Sequence, residues 1–133
     1  TEILLVIPSH KRYIDVVAEL SMALGRLLFD HENVCNITLA VVEAGINAIK
    51  HGNKEDIATN VEFIFHIDDD KFTAWVKDRG GGFNLDVLNP PLNPDELHLP
   101  EGRGILLMQA MMDEVEFTFE EGTCVKMVKY VNS

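Results

Sequence analysis

Residues 41–53, with the sequence VVEAGINAIKHGN, constrain the fold more than any other part of the chain. At about 100° per residue, an α-helix in this segment is apolar around most of its circumference. The polar exceptions, Glu43, Asn47, Lys50 and His51, fall within an arc of about 100° and are called the polar stripe below. A surface helix carries a broad charged face, so this helix is expected to be packed against other elements over most of its surface.

The polar stripe has two interpretations that the segment alone does not separate. In the first, the stripe faces solvent, and Glu43 and Lys50 are ordinary exposed residues. In the second, the stripe lines a cleft, where the amide oxygen of Asn47 can bind Mg²⁺ and the carboxylate of Glu43 can accept a proton or order a water. His51 adds little by itself, because histidine is common at the C terminus of a helix.

Hydrophobic periodicity predicts the element order β-α-α-β-β-loop-α-β-β. A strand is predicted at about 3–7, and hairpins at 61–78 and 114–131, the second turning at residues 121–122. Helices are predicted at about 11–29, at about 37–51 after a polar break at 30–36, and from 102 onward. This grouping, within one domain spanning 1–133, indicates an α+β fold. We expect a two-layer α/β sandwich with a mixed, mostly antiparallel sheet and helices on one face.

Two glycine clusters flank a proline-rich segment. Asp78 ends a predicted strand and is followed by the sequence RGGGF, in which Gly80 and Gly82 allow close approach of a ligand; a flexible turn is the alternative. The second cluster, 102–104, precedes a helix, whose N-terminal N–H groups favour phosphate. Residues 84–100 between them hold four of the five prolines, which predicts a long loop that is either a functional lid or disordered.

Charge and composition exclude several classes of function. The net charge of −11, with only 11 Lys and Arg residues along the chain, argues against binding to nucleic acid. No apolar run reaches the roughly 18 residues of a membrane span, and no basic leader of a signal peptide is present. Cys35 and Cys124 are expected to be reduced core residues, so we expect a cytoplasmic protein. The motifs of P-loop, Rossmann and zinc sites are absent.

Taken together, the motifs have a distinctive order: E-x-x-x-N on a helix, D-x-G-x-G-F after a strand, a long loop, G-x-G before a helix, and Gly122-Thr123 in a late hairpin. This order resembles the ATPase fold shared by gyrase, the Hsp90 chaperone, histidine kinases and MutL. The segments VVEAGINAIKHGN, DRGGGF and GRGILLMQAMMDEVEF are most similar to the small bacterial anti-sigma-factor serine/threonine kinases. The resemblance extends over about residues 10–130.

The resemblance implies a role for each matching residue in binding ATP and Mg²⁺. Glu43 is implied to be the base that takes the proton from the attacking hydroxyl, and Asn47 to bind the Mg²⁺ that bridges the phosphates. Asp78 is implied to hold the adenine amino group, with Thr123 helping through a water. The remaining candidates shape the nucleotide pocket and an ATP lid at about 84–101: His51, Gly80, Gly82, Phe83, Gly102, Arg103 and Gly104. Arg103 either contacts the γ-phosphate or braces the lid.

Two functions are compatible with these motifs. The first is a protein serine/threonine kinase that phosphorylates an anti-sigma-factor antagonist of the STAS type and otherwise sequesters a sigma factor, as a homodimer. The second is a non-catalytic, ATP-binding switch module that acts on a partner other than a sigma factor. The presence of Glu43 favours the first, because a module that only binds ATP does not need a base.

Overall fold

The computed structural model describes residues 1–79, 104–119 and 121–131. The predicted order of strands and helices is confirmed within these ranges, and the predicted lid at 84–101 lies outside them. The elements are β1 (Glu2–Pro8), a 3₁₀ turn (Lys11–Tyr13), α1 (Ile14–Gly25), α2 (His31–Asn47), a π-helical turn (Ala48–Gly52), β2 (Asn60–Ile67), β3 (Lys71–Lys77), α3 (Gly104–Met111), β4 (Glu114–Thr118) and β5 (Cys124–Tyr130).

The five described strands form one sheet in the order β1-β2-β3-β5-β4. All four neighbouring pairs are antiparallel. Because side chains alternate between the two faces of a strand, directly paired residues share a face. One such row crosses the whole sheet on its inner face, through Leu5, Phe63, Val76, Val125 and Phe117.

The described helices pack on this inner face and share one hydrophobic core with it. Val17 comes from α1, Val41 from α2 and Met108 from α3, and each of these side chains is fully buried. Burying apolar side chains of this size stabilises the fold by about 1.5–3 kcal/mol each. The predicted α+β sandwich, with helices on one face of a mostly antiparallel sheet, is therefore confirmed.

The boundaries of the first two helices differ from the predicted ones. α1 ends at Gly25, before the predicted residue 29, and α2 begins at His31, where a polar break was predicted. The reason is the Asp30 side chain, whose Oδ1 accepts a hydrogen bond from the N–H of Asn33 at 3.0 Å and caps the helix. The polar residues at 30–36 are thus the first turns of α2, with Val34 buried beneath them.

Two expectations drawn from composition concern the cysteines and the membrane. Both cysteines are unpaired, but Cys35 is exposed on α2, so its predicted place in the core is wrong; Cys124 is half-buried. Cys35 lies on the solvent side of the helical turns that were interpreted as a polar break. No helix in the described ranges is long and apolar enough to cross a lipid bilayer.

Candidate nucleotide-binding site

The polar stripe lies on α2 and the π-helical turn after it, which together are called the long helix below. Near the C-terminal end of α2, the stripe faces the interior of the protein. Asn47, the last residue of α2, is only 7% exposed, and Glu43 one turn earlier is half-buried. Lys50 and His51 follow in the π-helical turn and are also half-buried. The interpretation of the stripe as an ordinary solvent-facing surface therefore does not apply to Asn47.

Asn47 lies against the start of α3. A Cβ atom added at Gly104 would come within 2.7 Å of the Asn47 side-chain nitrogen, so a larger residue at position 104 would displace the amide of Asn47. The same nitrogen, Nδ2, is buried and has no hydrogen-bond partner among the described residues. Leaving a buried donor unpaired costs about 1–3 kcal/mol, so this nitrogen is a candidate contact for a ligand.

Asp78 directly follows β3 and is 4% exposed. Its backbone N–H donates to the carbonyl of Thr123 at 3.0 Å, and its Oδ1 accepts from the N–H of Thr123 at 3.2 Å. On its other side lies the end of the π-helical turn, where a Cβ added at Gly52 would be 2.2 Å from Oδ2 of Asp78. The carboxyl group is therefore held between β5 and the end of the long helix.

The hydroxyl group of Thr123 is a second buried polar group near Asn47 and Asp78. It has no hydrogen-bond partner among the residues that the structure describes. A small cleft is lined by Asn47, Asp78 and Thr123 together with apolar side chains that include Ala48, Val76 and Met108. A cleft with apolar walls and a few convergent polar groups is the usual form of a small-molecule site.

Residues 7–129 match the sequence pattern of the histidine kinase-like ATPase domain family. The chain belongs to this family. Relatives named serine-protein kinase RsbW are 30% identical in Bacillus mycoides (strain KBAB4), over 94% of this chain and 82% of that protein, and 30% identical in Listeria innocua, over 98% and 88%. The resemblance inferred from the motifs is thus confirmed, and the names of these relatives agree with the predicted kinase class.

This histidine kinase-like ATPase domain brings four of the predicted site residues together. Asn47, Asp78 and Thr123 line one cleft, and Gly104 packs against the side chain of Asn47. His51 lies in the turn next to Gly52. Gly80, Gly82, Phe83, Gly102 and Arg103 lie outside the described residues. The binding role of each residue stays a prediction.

Burial shifts the pKa of Glu43, the residue predicted to act as the base. Partial burial raises the pKa of its carboxyl group above the ordinary value, and the positive charge of Lys50 offsets part of this rise. A carboxylate whose pKa lies nearer to neutrality than usual accepts a proton more readily at the pH at which it must work.

Sequence reasoning missed two residues that shape the site, Gly52 and Asn53. The predicted helix ended at about residue 51, and neither residue was assigned a role in the site. The structure places Gly52 against the carboxyl group of Asp78, and the N–H of Arg79, the residue after Asp78, donates to Oδ1 of Asn53. A glycine followed by a buried amide at a helix end is the only local signal, and it does not reveal a partner 26 residues away.

Proposed function

We propose that this protein is an ATP-dependent serine/threonine protein kinase that phosphorylates an anti-sigma-factor antagonist of the STAS type and can sequester a sigma factor. One observation carries the nucleotide part of the proposal. Asn47 and Thr123, whose Nδ2 and Oγ1 atoms have no hydrogen-bond partner in the described ranges, line the same cleft as Asp78 with its buried carboxyl group. The antagonist and the sigma factor come from the similarity of the motifs to anti-sigma-factor kinases.

The cleft suits the adenine base of ATP. Its apolar lining, including Ala48 and Met108, fits the faces of a flat ring. A carboxylate only accepts hydrogen bonds, so Asp78 matches the exocyclic amino group of adenine and repels a carbonyl at that position. The hydroxyl of Thr123 can donate and accept, which allows a water to join it to the ring nitrogens.

Asn47, which lines the same cleft, would hold Mg²⁺ beside the phosphates of the nucleotide. Among the described residues, no three His, Cys, Asp or Glu side chains come together as a metal site. Mg²⁺ does not need such a cage, because it is commonly held by one or two protein oxygens together with phosphate oxygens and waters. Asn47 would supply one oxygen, and the bound cation would neutralise phosphate charge in a chain of net charge −11.

Glu43 is the proposed base. It lies one helical turn from Asn47, so a hydroxyl that approaches the terminal phosphate comes near its carboxylate. Taking the proton from the serine or threonine hydroxyl makes that oxygen a better nucleophile, and the remaining groups orient the reactants. The alternative of a non-catalytic switch module is not favoured, because the relatives are named as kinases and Glu43 is present.

Incubation with ATP labelled on its γ-phosphate and a STAS-type antagonist is expected to transfer the label to one serine or threonine of the antagonist. An antagonist in which that residue is replaced by alanine is the control and should stay unlabelled. Mass spectrometry locates the phosphate. Tight ATP binding with no transfer to any antagonist candidate would support the switch module instead.

We place the proposed homodimer in the cytoplasm. The edge of the sheet is the structural feature that supports the dimer. β1 is an outer strand, and Leu4 and Val6 on its outer face are 62% and 45% exposed. An uncovered apolar edge strand is prone to pair with another chain, and a second copy related by a two-fold axis would cover both edges at once.

Sedimentation equilibrium is expected to give about twice the chain mass of 14.9 kDa. Leu4→Lys combined with Val6→Lys should shift the mass to that of one chain, because lysine opposes pairing of an edge strand. Leu27→Lys is the matched control, since Leu27 is equally exposed, at 68%, but follows α1 and not β1. A monomeric wild-type protein at micromolar concentration would contradict the dimer.

A further inference from the structure

Asn53 is a buried amide that makes three hydrogen bonds to three different parts of the chain. It is 4% exposed. Its Nδ2 donates to the hydroxyl of Ser9 at 2.9 Å and to the carbonyl of Asn60 at 3.0 Å. Its Oδ1 accepts from the backbone N–H of Arg79 at 3.1 Å. The side chain thus ties the end of the long helix to residues beside the ends of β1, β2 and β3.

The chemistry of these bonds requires an amide at this position. Two partners need a donor and the third needs an acceptor, which an amide supplies and a carboxylate does not. The orientation of the amide is also determined, because the opposite orientation would place its nitrogen against the N–H of Arg79. Ser9 is fixed in turn, since its hydroxyl donates to the carbonyl of Thr59 at 3.1 Å.

The bond to Arg79 acts on the carboxyl group of Asp78. The peptide unit after Asp78 is held by Asn53, while the peptide unit before it and the carboxylate itself are held by Thr123. With Gly52 packed against the carboxylate, the residue is held from the helix side and from the strand side. Releasing the helix side would remove a hydrogen bond that fixes the peptide unit after Asp78, so the position of the carboxylate would be less precisely defined.

We infer that Asn53 is a positioning residue for base recognition, which holds the peptide unit after Asp78 so that the carboxylate meets the adenine amino group. This inference rests on the proposed function, because it requires adenine in the cleft. Asn53 itself does not contact the base. Its effect therefore falls on the choice between bases and not on the binding of the phosphates.

The ratio of affinities for ATP and inosine triphosphate isolates this effect. Inosine triphosphate carries a carbonyl where adenine carries the amino group, and the two nucleotides are otherwise closely alike. A variant that only lowers the folded fraction weakens both affinities by one factor and leaves their ratio unchanged. A variant that misplaces the carboxylate weakens ATP selectively, because it loses a hydrogen bond to a charged acceptor.

Asn53→Ala is expected to lower the preference for ATP over inosine triphosphate by about tenfold in calorimetric titration. Asp78→Asn should give the largest loss of this preference, since it replaces the carboxylate itself. Asp30→Ala is the control: it removes the cap of α2 and so destabilises the protein at a distance from the base, and it should keep the wild-type ratio. An unchanged ratio in Asn53→Ala, with a reduced ratio in Asp78→Asn, would overturn the inference.

If Asn53→Ala does not fold, the inference can be tested on the wild-type protein instead. In nuclear magnetic resonance titrations, the Arg79 backbone amide and the Asn53 side-chain amide are expected to shift more with ATP than with inosine triphosphate. Equal shifts with both nucleotides would overturn the inference. Failure of the nucleotide-binding part of the proposed function gives a different result, because the wild-type protein would then bind neither nucleotide.

Discussion

Glu43→Ala is expected to slow phosphate transfer to the antagonist by about two to four orders of magnitude, which is the usual contribution of a general base. ATP affinity should change by less than about threefold, because the carboxylate is proposed to act on the attacking hydroxyl and not on the nucleotide. Single-turnover rates with labelled ATP and calorimetric titration measure the two quantities separately. Unchanged transfer would remove Glu43 from the mechanism.

The pH dependence of the same reaction provides an independent measurement. Burial raises the pKa of Glu43, so the wild-type rate should increase with pH through that raised pKa as the carboxylate ionises. Glu43→Gln keeps the shape of the side chain but cannot accept the proton, and its residual rate should lack this rise.

The stability of Glu43→Gln shows whether a loss of rate comes from a disturbed fold or from the loss of the base. A carboxyl group whose pKa is raised in the folded state destabilises the protein when it ionises. This cost is absent below the ordinary pKa of glutamate and is complete above the raised pKa. Near neutral pH, the glutamine variant should therefore unfold at a temperature equal to or above that of the wild type. A clear loss of stability would mean that the carboxylate has a structural role.

Much of the fold could be predicted from the sequence, because alternation of apolar residues depends only on local geometry. Val61, Phe63 and Phe65 alternate in the sequence and are fully buried on one face of β2. The start of α2 could not be predicted from composition, since exposed first turns and loops are both polar. The cap made by Asp30 separates them, and it involves a single hydrogen bond.

The candidate site was predictable only where a residue belongs to a recognisable motif. Glu43 and Asn47 stand out because they are polar in an apolar helix. Asp78 and Thr123 are 45 residues apart, and no local pattern shows that they bond to each other. Gly52 and Asn53 were missed for the same reason, because Asp78 and Arg79, which they contact in the site, come just after β3 in the chain.

Asn47→Ala is expected to weaken binding of Mg·ATP by about ten- to a hundredfold, the range found when groups that hold a metal are removed. Binding of ADP without metal should weaken much less, because the adenine contacts at Asp78 and Thr123 remain. The two losses of affinity should differ because the amide oxygen is proposed to bind the cation and not the base. Calorimetric titration with and without Mg²⁺ measures both affinities.

Asn36→Ala is the matched control for Asn47→Ala, because it removes the same side chain from the same helix about three turns earlier. It should leave both affinities unchanged. Equal losses for Mg·ATP and metal-free ADP in Asn47→Ala would refute ligation of the cation, since they would show that the amide supports the pocket as a whole. A loss confined to Mg·ATP would instead mean that the oxygen of the buried amide beside Gly104 binds the metal.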